Sequence, residues 1–178
     1  PEVTVKEVTR ALSSGSLRGA RGNSGVILSQ LFRGFYKGVK GEDVLTTETA
    51  AAGFKNAVDT AYKAVMKPKE GTILTVAKVT AEKAVACARE TEDFNEFAEV
   101  VIKEANAILK KTPDMLPVLK EAGVVDSGGQ GLVEFLQGAV DVLSGKEVDL
   151  SGVERVAKKP AATQTEAPLE EKDIKFGY

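Results

Sequence analysis

Apolar residues recur at helical spacing along most of the chain. Thr4 and Glu7 stand at the spacing of a capping box, with Val8 and Leu12 following on one face, which predicts a first helix ending near Gly15. Leu28, Leu31, Phe35 and Val39 predict a second helix, and Phe54, Val58, Ala61 and Val65 a third, with a break near Gly41. Pro68-Lys69-Glu70-Gly71 interrupts the pattern. Beyond it, Ile73, Ala77, Ala81, Ala84 and Ala88 form a face of mainly small residues suited to close helix packing. Asp93 and Glu96 repeat the capping-box spacing, and Phe94, Phe97, Val101, Ala105 and Ile108 give the next stripe, which Pro113 is expected to end. Met115 to Ala122 reads as a short helix, and Leu132, Phe135, Leu136, Ala139, Val140 and Leu143 as the last. No convincing strand run interrupts this succession, so residues 1–150 are expected to form one all-α bundle.

From about Ala157 the chain turns to Lys, Pro, Ala, Thr, Gln and Glu without apolar periodicity. Residues 151–178 therefore read as an irregular linker, and the return of hydrophobicity at Ile174, Phe176 and Tyr178 as the start of a following domain.

Composition narrows the chemistry. A formal net charge of -2 lacks the concentrated basic charge on which nucleic-acid binding rests, so DNA and RNA are not expected as partners. The absence of histidine removes Ser-His-Asp and Cys-His schemes, the HExxH zinc site and any histidine general base. Cys87, the single cysteine, cannot form an internal disulfide and lies on an Ala-rich face, where packing is its expected role. With neither a signal peptide nor an apolar run long enough to span a bilayer, a cytoplasmic location is expected.

Two glycine-rich segments between helices carry the remaining information. Arg18-Gly19-Ala20-Arg21-Gly22-Asn23-Ser24-Gly25 precedes a helix whose first amides and dipole could meet phosphate oxygens, with Ser24 able to donate a hydroxyl hydrogen bond. The plain alternative is a glycine-rich turn with Asn23 or Ser24 as an ordinary N-cap. Val125-Asp126-Ser127-Gly128-Gly129-Gln130-Gly131 opens the last helix in the same way, and its plain alternative is a cap by Asp126 or Ser127. Gly71 and Thr72 form a weaker third candidate. No GxxxxGK[ST] sequence occurs, which excludes a Walker A loop.

Together, the segments from Gly19 to Gln30 and from Ala122 to Leu132 resemble the kinase subunit of bacterial fatty acid kinase, whose first domain is similar to the ADP-binding L subunit of dihydroxyacetone kinase. The resemblance covers roughly residues 1–150. It implies an all-α barrel or bundle of antiparallel helices that binds ATP or ADP at one end, with Gly22, Asn23, Ser24 and Gly25 at the phosphates. It further implies Asp126, Ser127 and Gly128 completing the nucleotide pocket, and Gly71 and Thr72 close to it. It implies transfer of the terminal phosphoryl group to a fatty acid held by a separate fatty-acid-binding protein, and a possible homodimer formed through downstream domains. The family's magnesium-binding motif of closely spaced aspartates is absent, so Mg2+ ligands are expected upstream of this chain and the chain alone is expected to be inactive. Nothing in the sequence reads as an acyl-chain tunnel. A dihydroxyacetone kinase L subunit and a non-catalytic helical module that binds nucleotide or a partner remain the competing readings.

Overall fold

The computed structural model describes residues 4–147, and among them seven helices and no strand. The helices are α1 (Val5–Gly19), α2 (Gly22–Val39), α3 (Thr47–Ala64), α4 (Ile73–Cys87), α5 (Phe94–Met115), α6 (Pro117–Ala122) and α7 (Ser127–Leu143). The expected all-α bundle is what the chain forms. Residues 151–178, where linker and strand were expected, lie outside the described residues.

Short connections turn α1 to α5 back and forth, each helix packing on the next, while α7 lies against α4 and α5. The α2/α3 pair shows what the small residues do. A Cβ on Gly34 would overlap the Asn56 carbonyl oxygen and come 2.6 Å from Ala57 Cα, and one on Gly38 would come 2.8 Å from Gly53 Cα. The two backbones run antiparallel in contact, an approach that side chains larger than hydrogen would prevent. One buried cluster gathers Leu31, Ala61, Leu74, Val76, Leu109 and Leu132, and a second gathers Ala51, Ala84, Cys87, Phe97 and Val101. Burial pushes the Cys87 thiol above its ordinary pKa, consistent with packing and not reactivity.

Several boundaries differ from the sequence reading. Helix α1 continues through Gly15 to Gly19, because nothing near Gly15 offers a competing turn and a helical glycine costs only about 1 kcal/mol. Pro113 does not end α5, which runs on to Met115. Proline cannot donate the amide bond that Leu109 O would accept, and the Thr112 hydroxyl takes that carbonyl instead at 2.7 Å. The short helix starts at Pro117 and not Met115, proline being favoured in a first turn. Asp93 caps α5, but Glu96 does not close the box; its carboxylate accepts from the Thr91 hydroxyl at 2.6 Å.

The stripe on α7 is buried at Leu132 but half-exposed at Phe135 and Leu143. Their face looks into an apolar cavity of about 240 Å3 lined by residues of α1, α2, α3, α4, α5 and α7, among them Leu12, Phe32, Phe54, Phe97, Phe135 and Leu143. Its lining is drawn from many helices, so no single stretch of sequence announces it.

The capping box at Thr4 is present in full: Glu7 N donates to Thr4 Oγ1 at 3.2 Å and Thr4 N to Glu7 Oε2 at 3.1 Å. The backbone amide and then the hydroxyl of Thr4 hold the Glu7 carboxyl below its ordinary pKa. A lowered folded-state pKa means the contribution is complete above the ordinary glutamate range and is lost as pH falls through the lowered value. Protection of the amides at the start of α1 against exchange, taken relative to their intrinsic rate at each pH, should therefore fall on acidification, and this acid step should vanish in Glu7→Gln. An unchanged step in that variant would assign it to another group.

Candidate functional site

Alternation of helix direction brings the starts of α2, α4 and α7 to one end of the bundle. Gly128, in the first turn of α7, is where they meet. A Cβ placed there would lie 3.2 Å from Ser24 Oγ of α2, 3.3 Å from Ile73 Cβ of α4, and 3.3 Å from Asp126 Oδ2. The structure thus brings Ser24, Asp126 and Gly128 together, with the first residue of α4 as the third wall.

Each helix start is built differently. Helix α2 begins at Gly22, whose φ of +65° lies in the left-handed region that favours glycine. Its N-cap is Arg21, which makes no side-chain cap bond; the Arg21 guanidinium donates from Nη1 to Ala20 O at 2.8 Å. Asn23 and Ser24 fall inside the first turn and are exposed, so the ordinary-cap reading of these residues is set aside. No side chain caps the leading amides of α2. Gly25 lies beside Ala20, where a Cβ would meet backbone at 3.6 Å.

At α7 the cap is real. Asp126 Oδ2 accepts from Gly129 N at 2.7 Å, while Ser127 is exposed at the first helical position. Gly129 is buried, with Val76 Cγ2 2.9 Å and Leu109 Cδ1 3.1 Å from its would-be Cβ, which seats α7 directly on α4 and α5. At α4, Thr72 Oγ1 accepts weakly from Leu74 N at 3.4 Å and donates to Lys69 O at 2.8 Å. Gly71 has φ +78°, and its neighbours are Leu116, Met115 and Thr112, not the Gly128 junction, so it shapes the adjoining turn.

Electrostatics separates this end from the other. Helices α1, α3 and α5, which start at the far end, carry Glu7, Glu48 and Glu96 in their first turns. Helices α2, α4 and α7 carry no acidic residue there. Acidic side chains at the far end offset the positive ends of those helices; at the near end Asp126 caps α7 and the Glu70 carboxylate accepts from the Thr75 hydroxyl at 2.7 Å in the first turn of α4, so the start of α2 is the one whose amide dipoles no carboxylate meets. Asp126 is the carboxylate closest to the junction, and it is engaged by an amide of its own helix. Among the described residues no group of His, Cys, Asp or Glu side chains is placed to hold a metal ion, so the donor set for Mg2+ is not met here.

Sequence reading did not single out Thr112, and it named Ile73 and Gly129 without assigning either to the site. The Thr112-Pro113 pair is the one available signal: a threonine beside a proline can satisfy the carbonyl that the proline frees.

An uncharacterized protein of Staphylococcus haemolyticus is 48% identical across 98% of the chain, which covers 32% of that relative. Uncharacterized proteins of Staphylococcus aureus strains RF122 and USA300 are 53% and 52% identical across 82% of the chain, covering 26% of each. The chain thus spans about a third or less of the length of these relatives. No described helix is long and apolar enough to cross a membrane. Residues 1–141 match the DAK2 domain, a family similar to the L subunit of dihydroxyacetone kinase and tied to nucleotide-binding kinase systems, and the chain belongs to that family.

Proposed function

We propose that this chain is the ATP-binding part of a kinase that phosphorylates fatty acids, presented by a fatty-acid-binding protein, to acyl phosphates. The observation that supports it most is the meeting of the α2, α4 and α7 starts at Gly128, all without first-turn acids. In this reading the amides of Gly22, Asn23, Ser24 and Gly25 face phosphate oxygens, and the Ser24 hydroxyl donates to one of them. Gly128 leaves room for close approach, Asp126 and Ser127 complete the pocket, and Gly71 and Thr72 form its adjoining wall. The bond from the γ-phosphorus to the bridging oxygen breaks as a bond to the acceptor carboxylate forms, releasing ADP. A carboxylate is already ionised at neutral pH, so the absence of histidine costs the reaction no base. In this reading magnesium is held by residues outside those described. The setting is the cytoplasm.

The match to the DAK2 domain favours a second reading, transfer to dihydroxyacetone. Incubating the full-length protein with ATP, magnesium and a fatty-acid-loaded binding protein, then trapping with hydroxylamine, separates the two. The proposed activity yields acyl hydroxamate. Dihydroxyacetone phosphate formed in place of it would replace the proposal, and ATP binding without transfer to either acceptor would leave a nucleotide-binding scaffold.

A further inference from the structure

We infer that Thr112 is a positioning residue for nucleotide, holding the start of α7 in register with the phosphate-facing end of the bundle. The inference rests on reading that end as the nucleotide site. Thr112 is completely buried in the last turns of α5 and touches two of the connecting segments at once. Its Oγ1 accepts from Asp126 N at 3.0 Å, and its carbonyl oxygen lies 3.0 Å from where a Gly71 Cβ would stand.

The direction of the hydroxyl hydrogen is fixed. Pro113 has no amide hydrogen to give Leu109 O, and the Thr112 hydroxyl donates to that carbonyl at 2.7 Å. With its one hydrogen committed, Oγ1 can only accept from its remaining neighbour, which is the Asp126 amide. Asp126 in turn caps α7 through Gly129 N and stands beside Ser24 at Gly128. Leu109, Thr112, Asp126 and Gly129 therefore form one chain of hydrogen bonds from the end of α5 to the first turn of α7. Valine matches threonine in shape but breaks both links, leaving a buried carbonyl and the Asp126 amide without their partner. Serine keeps both links and loses a methyl group.

The test uses the full-length protein, with ATP as the probe and Thr112→Val, Thr112→Ser and the remote core variant Val101→Ala compared. Val101 belongs to the other buried cluster and controls for general destabilisation. Calorimetry should show Thr112→Val weakening ATP at least fivefold, with Thr112→Ser within twofold of wild type and Val101→Ala unchanged. In turnover, KM for ATP should rise while KM for the acceptor stays level. Wild-type affinity in Thr112→Val, or Thr112→Ser as weak as Thr112→Val, would overturn the inference while leaving the site reading intact. An equal loss in Val101→Ala would reduce Thr112 to a structural residue. A wild-type protein that binds no ATP would overturn the inference together with the site on which it rests.

Discussion

Gly34→Ala should lower the melting temperature sharply or leave the chain unable to fold. The added methyl group would overlap the Asn56 carbonyl oxygen and crowd Ala57 Cα, both backbone atoms of α3 that no rotamer change can move aside. Overpacking against a side chain commonly costs 1–3 kcal/mol, and against fixed backbone the upper end, about 3 kcal/mol, applies. For a chain of this size that corresponds to a fall of about 6–12 °C in Tm. Gly138→Ala supplies the control, since Gly138 lies within α7 and nothing stands within 4 Å of its would-be Cβ. There the substitution should stabilise by about 0.5–1 kcal/mol, because alanine is the better helix former. Thermal unfolding of the two variants should move in opposite directions. A shared direction would mean that α2 and α3 do not touch through this glycine face.

The same face shows how far the fold was legible. The helices themselves follow from spacing: Leu31 and Val39 on α2, Ala61 on α3, and Ile73, Ala77, Ala81 and Ala84 on α4 all lie buried, where their periodicity places them. Hydrophobic period records which side of a helix is covered, and that is a local property of sequence. Ends were less legible because they depend on contacts from elsewhere. Pro113 looks like a terminator until Thr112 is seen to occupy the carbonyl it frees. Phe135 and Leu143 look like core positions, yet they are half-exposed at an apolar cavity whose other walls come from helices distant in sequence.

The candidate site divides along the same line. Glycine-rich segments before apolar stripes mark Gly22 to Gly25 and Asp126 to Gly128 as helix starts, and both open helices within a residue of the expected place. Their meeting at one end rests on α6 being only six residues long: it does not cross the bundle, so α7 starts on the side where α5 ends, with α2 and α4. What spacing cannot reveal is which helix start is capped. Asp126 caps α7 and Thr72 caps α4, whereas Asn23 and Ser24, equally good capping residues by type, sit two and three residues past the N-cap Arg21. That difference is decided by Gly22 adopting φ +65° and opening the helix one residue sooner.

Replacing Asn23 and Ser24 together by alanine should weaken ATP binding in the full-length protein while leaving the fold as stable as before or slightly more so. Neither side chain caps α2, both are exposed, and alanine exceeds both in helix propensity. A first turn reading Gly-Asn-Ser-Gly is a poor start for a helix on its own account, so its composition is understandable where amides and a hydroxyl must stay open to a ligand. A hydrogen bond to a charged oxygen contributes about 1.5–3 kcal/mol, so loss of the Ser24 donor alone should weaken ATP roughly tenfold to a hundredfold. Calorimetry with ATP and thermal unfolding without it measure the two effects separately. Opposite signs, weaker binding with equal or higher Tm, identify residues held for a ligand. Unchanged affinity would remove the start of α2 from the phosphate site, and a fall in Tm matching the loss of affinity would return Asn23 and Ser24 to a purely structural role.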